Sequence, residues 1–113
     1  MPRTHLTQDA APAELAEIAA QVGAQIAAAR LRRRWTQDDL ATRAGVTRPT
    51  IRRVENGELG TGFGAYLAAL WAMGLQRGML AVASLEQDAE GATLAAARLG
   101  TRARAAREVN DEF

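Results

Sequence analysis

The stretch from Trp35 to Gly57 constrains this chain more than all the rest of it. Thr36 is a good N-cap. Asp39 sits three residues later, a weaker form of the Glu or Gln that closes a capping box, and it favours the positive end of a helix. Leu40, Ala41 and Ala44 share one face of that helix. Gly45 follows, the residue that most easily takes the left-handed backbone that stops a helix. Val46 is placed to plug the corner. Thr47 caps a second helix, and Pro49 stands in its first turn, where no backbone donor is lost. Ile51 and Val54, three apart, face inward. Arg48, Thr50, Arg52 and Arg53 are left outside, and Asn56-Gly57 is a strong turn signal. The pattern predicts two short helices across a tight turn, the second with a basic outer face. That geometry lays one helix in a DNA major groove.

Charge distribution agrees with a polyanionic partner. Residues 30 to 53 hold eight arginines (Arg30, Arg32, Arg33, Arg34, Arg43, Arg48, Arg52, Arg53) against Asp38 and Asp39, a local +6, whereas the whole chain carries +1. A near-neutral total is no obstacle, because the local field counts over a Debye length of about 10 Å. Other classes are disfavoured. There is no cysteine, so neither a disulfide framework nor thiolate chemistry is expected. The single histidine, His5, lies in a polar leader, and no catalytic triad or metal-ligand spacing occurs; neither an enzyme, a metal site nor a cofactor is expected. Gly57, Gly60, Gly62 and Gly64 lack the preceding strand and following Lys-Ser/Thr of a phosphate cradle. A loop whose backbone amides approach DNA phosphates fits them better. No apolar run reaches the roughly 20 residues of a membrane span. The start of the chain lacks the pattern of a secretory signal, so the expected location is the cytoplasm.

At 113 residues, one compact domain with tails is the default. Residues 1–11 are polar and read as a mobile arm. Ala11-Pro12 suits a helix start, and Leu15, Ile18, Val22, Ile26 and Ala29 then step by three and four. The many alanines favour helix and would let part of this face meet a partner chain. The helix runs into Arg30-Leu31-Arg32-Arg33-Arg34, read either as phosphate contacts or as a solvated turn favoured by the helix dipole. Trp35 is expected to pack beneath the two short helices. Phe63, Tyr66, Leu67, Leu70 and Trp71 mark another helix, ended by Gly74. A shorter one follows from Leu75 through Met79, Leu80, Val82 and Leu85. The expected core is Ile26, Leu40, Val46, Ile51, Val54, Leu67 and Leu70; Trp71, Met79, Leu80 and Val82 read equally as core or as a dimer surface. After the acidic link 86–91, Ala92 to Leu99 reads as a helix that Gly100 ends, followed by an arginine-rich stretch and an acidic tail closed by Phe113. The predicted organisation is an arm at 1–11, a DNA-binding domain at 12–85, and a C-terminal helix and charged tail at 86–113.

Thr36-Gln37, Leu40-Ala41, Ala44-Gly45-Val46, Thr50-Ile51 and Glu55-Asn56-Gly57, all in register, resemble the Cro/repressor-type (XRE) helix-turn-helix family over about residues 24 to 75. The resemblance implies an all-α, five-helix Cro/lambda-repressor-like domain, here with an extended N-terminal helix and a C-terminal helix and tail. It implies base contacts from the second helix at Arg48, Pro49, Thr50 and Arg52. Arg48 and Arg52, four apart, are the expected readers, since Arg on guanine is the commonest direct contact. Pro49 replaces a more usual small polar residue, which removes one possible base contact and stiffens the helix start. Phosphate contacts are expected from Arg33, Arg34, Thr36, Gln37, Thr47, Arg53 and Asn56, with Gln37 also buttressing the recognition helix.

The order of features also resembles HipB-like antitoxins: a Cro-type domain, a helix ending at Ala72-Met73-Gly74-Leu75, and a basic then acidic tail. That resemblance implies a homodimeric repressor of its own operon, binding an inverted repeat in double-stranded DNA and a HipA-like kinase toxin. Two alternatives stay open, a stand-alone phage-type or restriction-modification controller regulator and a protein-binding adaptor with weak DNA affinity. The tail reads equally as a disordered segment with no partner.

Overall fold

The computed structural model describes residues 7–111, with side chains through Val109. His5, the first six residues of the expected arm, and Phe113 lie outside the described residues. The described residues are helical and connecting, without a strand. The α-helices are α1 (Ala13–Arg32), α2 (Gln37–Ala44), α3 (Arg48–Glu55), α4 (Phe63–Ala72) and α5 (Ala89–Asp111), with 3₁₀ stretches at Leu59–Thr61 and Gln76–Ala81. The chain forms two compact units, Met1–Gln76 and Arg77–Phe113.

The first unit is built around α3, which packs against α1, α2 and α4. Its core is Ile26, Ala29, Leu40, Ala41, Ile51, Val54, Ala69 and Met73, with Trp35, Val46, Tyr66 and Leu70 half-buried against it. Two helix faces differ from the sequence reading. On α1, Ile26 and Ala29 are buried, but Leu15, Ile18 and Val22 stay exposed, because only the C-terminal half of the helix crosses the bundle. On α4, the inward line runs through Ala65, Ala69 and Met73. Phe63 and Trp71 are therefore exposed, and Leu67 is half-buried outside the core cluster. The small Ala69 side chain, fully buried, lets α4 come close to its neighbours, and ridge-and-groove packing then turns Phe63 and Trp71 out.

A second close approach seats the end of α3. Gly23 of α1 lies where a Cβ would come within 2.6 Å of the Val54 and Glu55 carbonyl oxygens. Gly57, at φ +72°, would place a Cβ 2.5 Å from the Ala19 carbonyl oxygen. Both positions exclude a side chain, and Gly57 also needs the left-handed backbone. Within 7–11, Gln8 fastens the same corner: its Nε2 donates to the Gly57 carbonyl (3.2 Å), and its Oε1 accepts from the Leu59 amide (3.0 Å).

Across the boundary between the units, the segment expected as a short α-helix from Leu75 instead contains the 3₁₀ stretch and turns. The Asp88 carboxylate accepts from the Gly91 amide (3.0 Å) where α5 starts. The helix then runs through Gly100 to Asp111, where the sequence suggested a stop. A glycine inside a helix costs only about 1 kcal/mol, and the alanines and arginines on either side outweigh it.

Candidate nucleic-acid interface

The two helices of the interface are set by their caps. Thr36 Oγ1 accepts from the Asp39 amide (3.0 Å), and Asp39 Oδ2 accepts from the Thr36 amide (2.8 Å), a complete reciprocal box. The Thr36 backbone and side-chain hydrogen bonds, with Arg43 adding attraction, hold the Asp39 carboxyl below its ordinary value. Gly45 closes α2 at φ +72°, with its amide bonded to the Thr42 carbonyl and the Val46 amide to the Ala41 carbonyl. Thr47 then caps α3, accepting from the Thr50 amide at 3.4 Å, with Pro49 in the first turn. Ile51 and Val54, both fully buried, fix the rotation of α3 about its axis. That rotation decides which residues face out.

Arg48, Pro49 and Arg52 line one shallow depression on the exposed face of α3. Arg48 also borders a second, with Arg30, Thr36, Gln37 and Asp38, at the N-terminal ends of α2 and α3. Among the described residues neither the Arg48 nor the Arg52 guanidinium has an ion-pair partner. Thr50 is half-buried. Its hydroxyl lies 3.0 Å from that of Thr47 and accepts from Arg53 Nη2 at 3.2 Å, so its methyl group is the part left for a base. Asn56 is exposed at the C-cap of α3. The unpaired guanidiniums thus sit on the rigid helix, while Thr47 and Arg53 are tied into a small hydroxyl network beside them.

The arginine run at the end of α1 divides by role. Arg30 is not free for phosphate. Its Nε and Nη2 donate to the two carboxylate oxygens of Glu55 (2.7 and 3.0 Å), and its Nη1 donates to the Trp35 carbonyl (2.7 Å). The pair is largely buried, with side-chain exposures of 11% and 7%. Gln37 Nε2 donates to the same carboxylate (3.0 Å), so one carboxylate on α3 ties down α1 and the first turn of α2. Arg33 donates to the carbonyls of Ala29 (2.8 Å) and Met73 (3.1 Å), bracing the end of α1 against the end of α4. Arg34 is exposed and holds φ +57° at the helix stop, a conformation non-glycine residues seldom take. Arg43 lies over the Trp35 ring, 4.1 Å from its centroid, a cation–π contact. The local +6 is therefore reduced by Glu55, which lies two residues beyond the counted segment and neutralises Arg30. The sequence offered no signal for that pair except charge on two facing helices.

No helix among the described residues is long and apolar enough to cross a membrane. The chain matches no curated protein and no solved structure. Residues 21–83, more than half of the chain, match the family model of a helix-turn-helix domain, and the match spans α2, the Gly45 turn and α3. The chain therefore belongs to the helix-turn-helix family, a DNA-binding domain with a regulatory role.

Proposed function

We propose that the chain is a sequence-specific transcriptional repressor of the Cro/XRE type that binds an inverted repeat as a homodimer in the cytoplasm. The observation that carries the reading is the pair of unpartnered guanidiniums, Arg48 and Arg52, on the outer face of a helix whose rotation is fixed by buried Ile51 and Val54. Arg48 and Arg52 read bases, and Pro49 with the Thr50 methyl supplies apolar contact. Arg34, Thr36, Gln37, Thr47, Arg53 and Asn56 position the backbone. Arg33, with one donor on each Nη held by the Ala29 and Met73 carbonyls, offers a phosphate its remaining donors. One such domain reads few base pairs, and two-fold pairing on half-sites one helical turn apart extends the site.

Within that reading, a HipB-like antitoxin that represses its own operon and binds a HipA-like kinase toxin fits the order of features best. It draws on the Ala72-Met73-Gly74-Leu75 helix ending and on the arginines of the last third. Selection of the full chain on random duplexes, followed by footprinting and stoichiometry, tests the regulator. An inverted repeat occupied by two chains is the expected result; indifference to sequence would leave only a protein-binding adaptor. Capture from native cells tests the antitoxin. Recovery of one kinase-like protein supports it, and specific operator binding without any such protein leaves a stand-alone repressor.

A further inference from the structure

The outer face of α3 is not basic at its centre. Successive residues of an α-helix stand about 100° apart around its axis. Ile51 and Val54, the two buried residues of α3, therefore lie about 200° and 140° round from Pro49. Pro49 thus stands opposite the middle of the buried line, exposed, in the first turn of the helix. A recognition helix brings its N-terminal residues against the base edges, so this position faces the floor of the groove. Arg48 is next to it and Arg52 about a turn later, and the three line one depression. Thr50 is turned about 100° further toward the core. It is half-buried, and its hydroxyl is already engaged by Thr47 and Arg53.

We infer that this face reads a 5-methylpyrimidine next to guanine: Pro49 packs on the methyl group, while Arg48 and Arg52 donate to guanine. The inference rests on the base-reading role of α3 proposed above and names the bases it takes. The chemistry of the depression selects them. The two guanidiniums have donors and no acceptor, and the proline side chain has neither. Guanine shows N7 and O6 as acceptors in the major groove, and the apolar group displayed there is the 5-methyl group of thymine. Cytosine carries that group only when it is methylated. A cytosine or adenine amino group set against Pro49 would lose water and gain no acceptor, which costs free energy. Gln37 and Asp38, which could accept, line the second depression instead. Thymine is the better source of the methyl group, since its O4 accepts where cytosine donates. The proline ring is already rigid in the free chain, so packing it orders nothing further.

The test uses the full-length chain and single-base changes in one half-site of the selected operator. Replacing thymine by deoxyuridine removes the methyl group and nothing else. At one thymine beside a guanine the change should weaken binding about fourfold, the value of one buried methyl group. A cytosine at that position, with and without its 5-methyl group, separates the two sources. Tighter binding of the methylated duplex supports a methyl group from either base; equal binding supports thymine alone. Pro49→Ser replaces the ring by a small polar side chain and should erase the difference between thymine and deoxyuridine. Its affinity for a scrambled duplex, which reports an intact fold, should stay that of the native chain. Specific binding without a methyl-sensitive thymine overturns the inference and leaves the repressor standing. A methyl effect that survives Pro49→Ser overturns it too, because another side chain then makes the contact. Absence of specific binding removes the repressor itself, and the inference with it.

Discussion

The two units of this chain hold their helices by different means. Between residues 7 and 76, short helices of eight to ten residues are fixed by what they bury, and the eight core residues all lie between Ile26 and Met73. Beyond residue 77, a helix nearly three times as long as α3 buries no side chain. α2 and α3 are far too short to persist alone, since isolated helices below about 12–15 residues are marginal in water. Their caps and their core make them rigid, and rigidity aims Arg48 and Arg52. α5 depends on alanine and arginine propensity. The part of the chain that must present fixed chemistry is the part with a core.

The widest contrast between the units is in stability. Leu40→Ala, at a fully buried site, is expected to cost about 4 kcal/mol through lost transfer energy and the cavity left behind. Leu99→Ala, 66% exposed, should shift monomer unfolding by no more than about 0.5 kcal/mol. Urea titration at low protein concentration measures both, and comparable losses would mean that α5 shares the core. Next comes Glu55→Ala. It strips the carboxylate from largely buried Arg30 and from Gln37, so a loss of about 3 kcal/mol is expected. A loss below about 1 kcal/mol, the value of a surface pair, would show that the three helices are not tied there.

Arg34→Gly should act in the opposite direction on stability and on binding. Relief of the left-handed backbone should stabilise the fold by about 1 kcal/mol, while loss of a phosphate contact should lower the salt slope of DNA binding by about 1. A gain in stability with an unchanged slope would remove Arg34 from the interface. The smallest effect concerns Asp39. Its folded-state carboxyl is held below the ordinary 3.8 by the Thr36 hydrogen bonds. The contribution is therefore present above that value and lost as pH falls through the lower folded value. The stability advantage of the native chain over Asp39→Asn should persist at neutral pH and vanish in the acid range below about pH 4. An advantage that survives full acidification would exclude the carboxylate as its source.

Local chemistry made the helix-turn-helix legible. Thr36, Gly45, Thr47 and Pro49 each act on their own turn of backbone, and the inward faces of α2 and α3 follow from spacing. The buried ends of α1 and α3 were also visible in Ile26, Ile51 and Val54. What escaped were contacts between residues distant in sequence. Arg30 looks like one more basic residue in a run until Glu55, 25 positions later, is seen to hold it. Gly23 gives no sign of being a crossing point, because its requirement comes from the Val54 and Glu55 carbonyls. Trp71 and Phe63 carry the hydrophobicity of core residues, yet α4 turns Ala69 inward, since the spacing between helices is set by the smallest residue at the contact. Gly100 misled in the other direction, as a local breaker overruled by its neighbours' propensity.

The central claim is that the outer face of α3 reads sequence, and the most direct test compares two affinities of one variant. Binding of the native chain and of Arg48→Ala is measured on the selected operator and on a scrambled duplex, at one fixed salt concentration. The account predicts a loss of about 1–3 kcal/mol on the operator, with little change on the scrambled duplex, so that specificity collapses toward the non-specific level. Equal weakening on both duplexes would make Arg48 a phosphate anchor and contradict the claim.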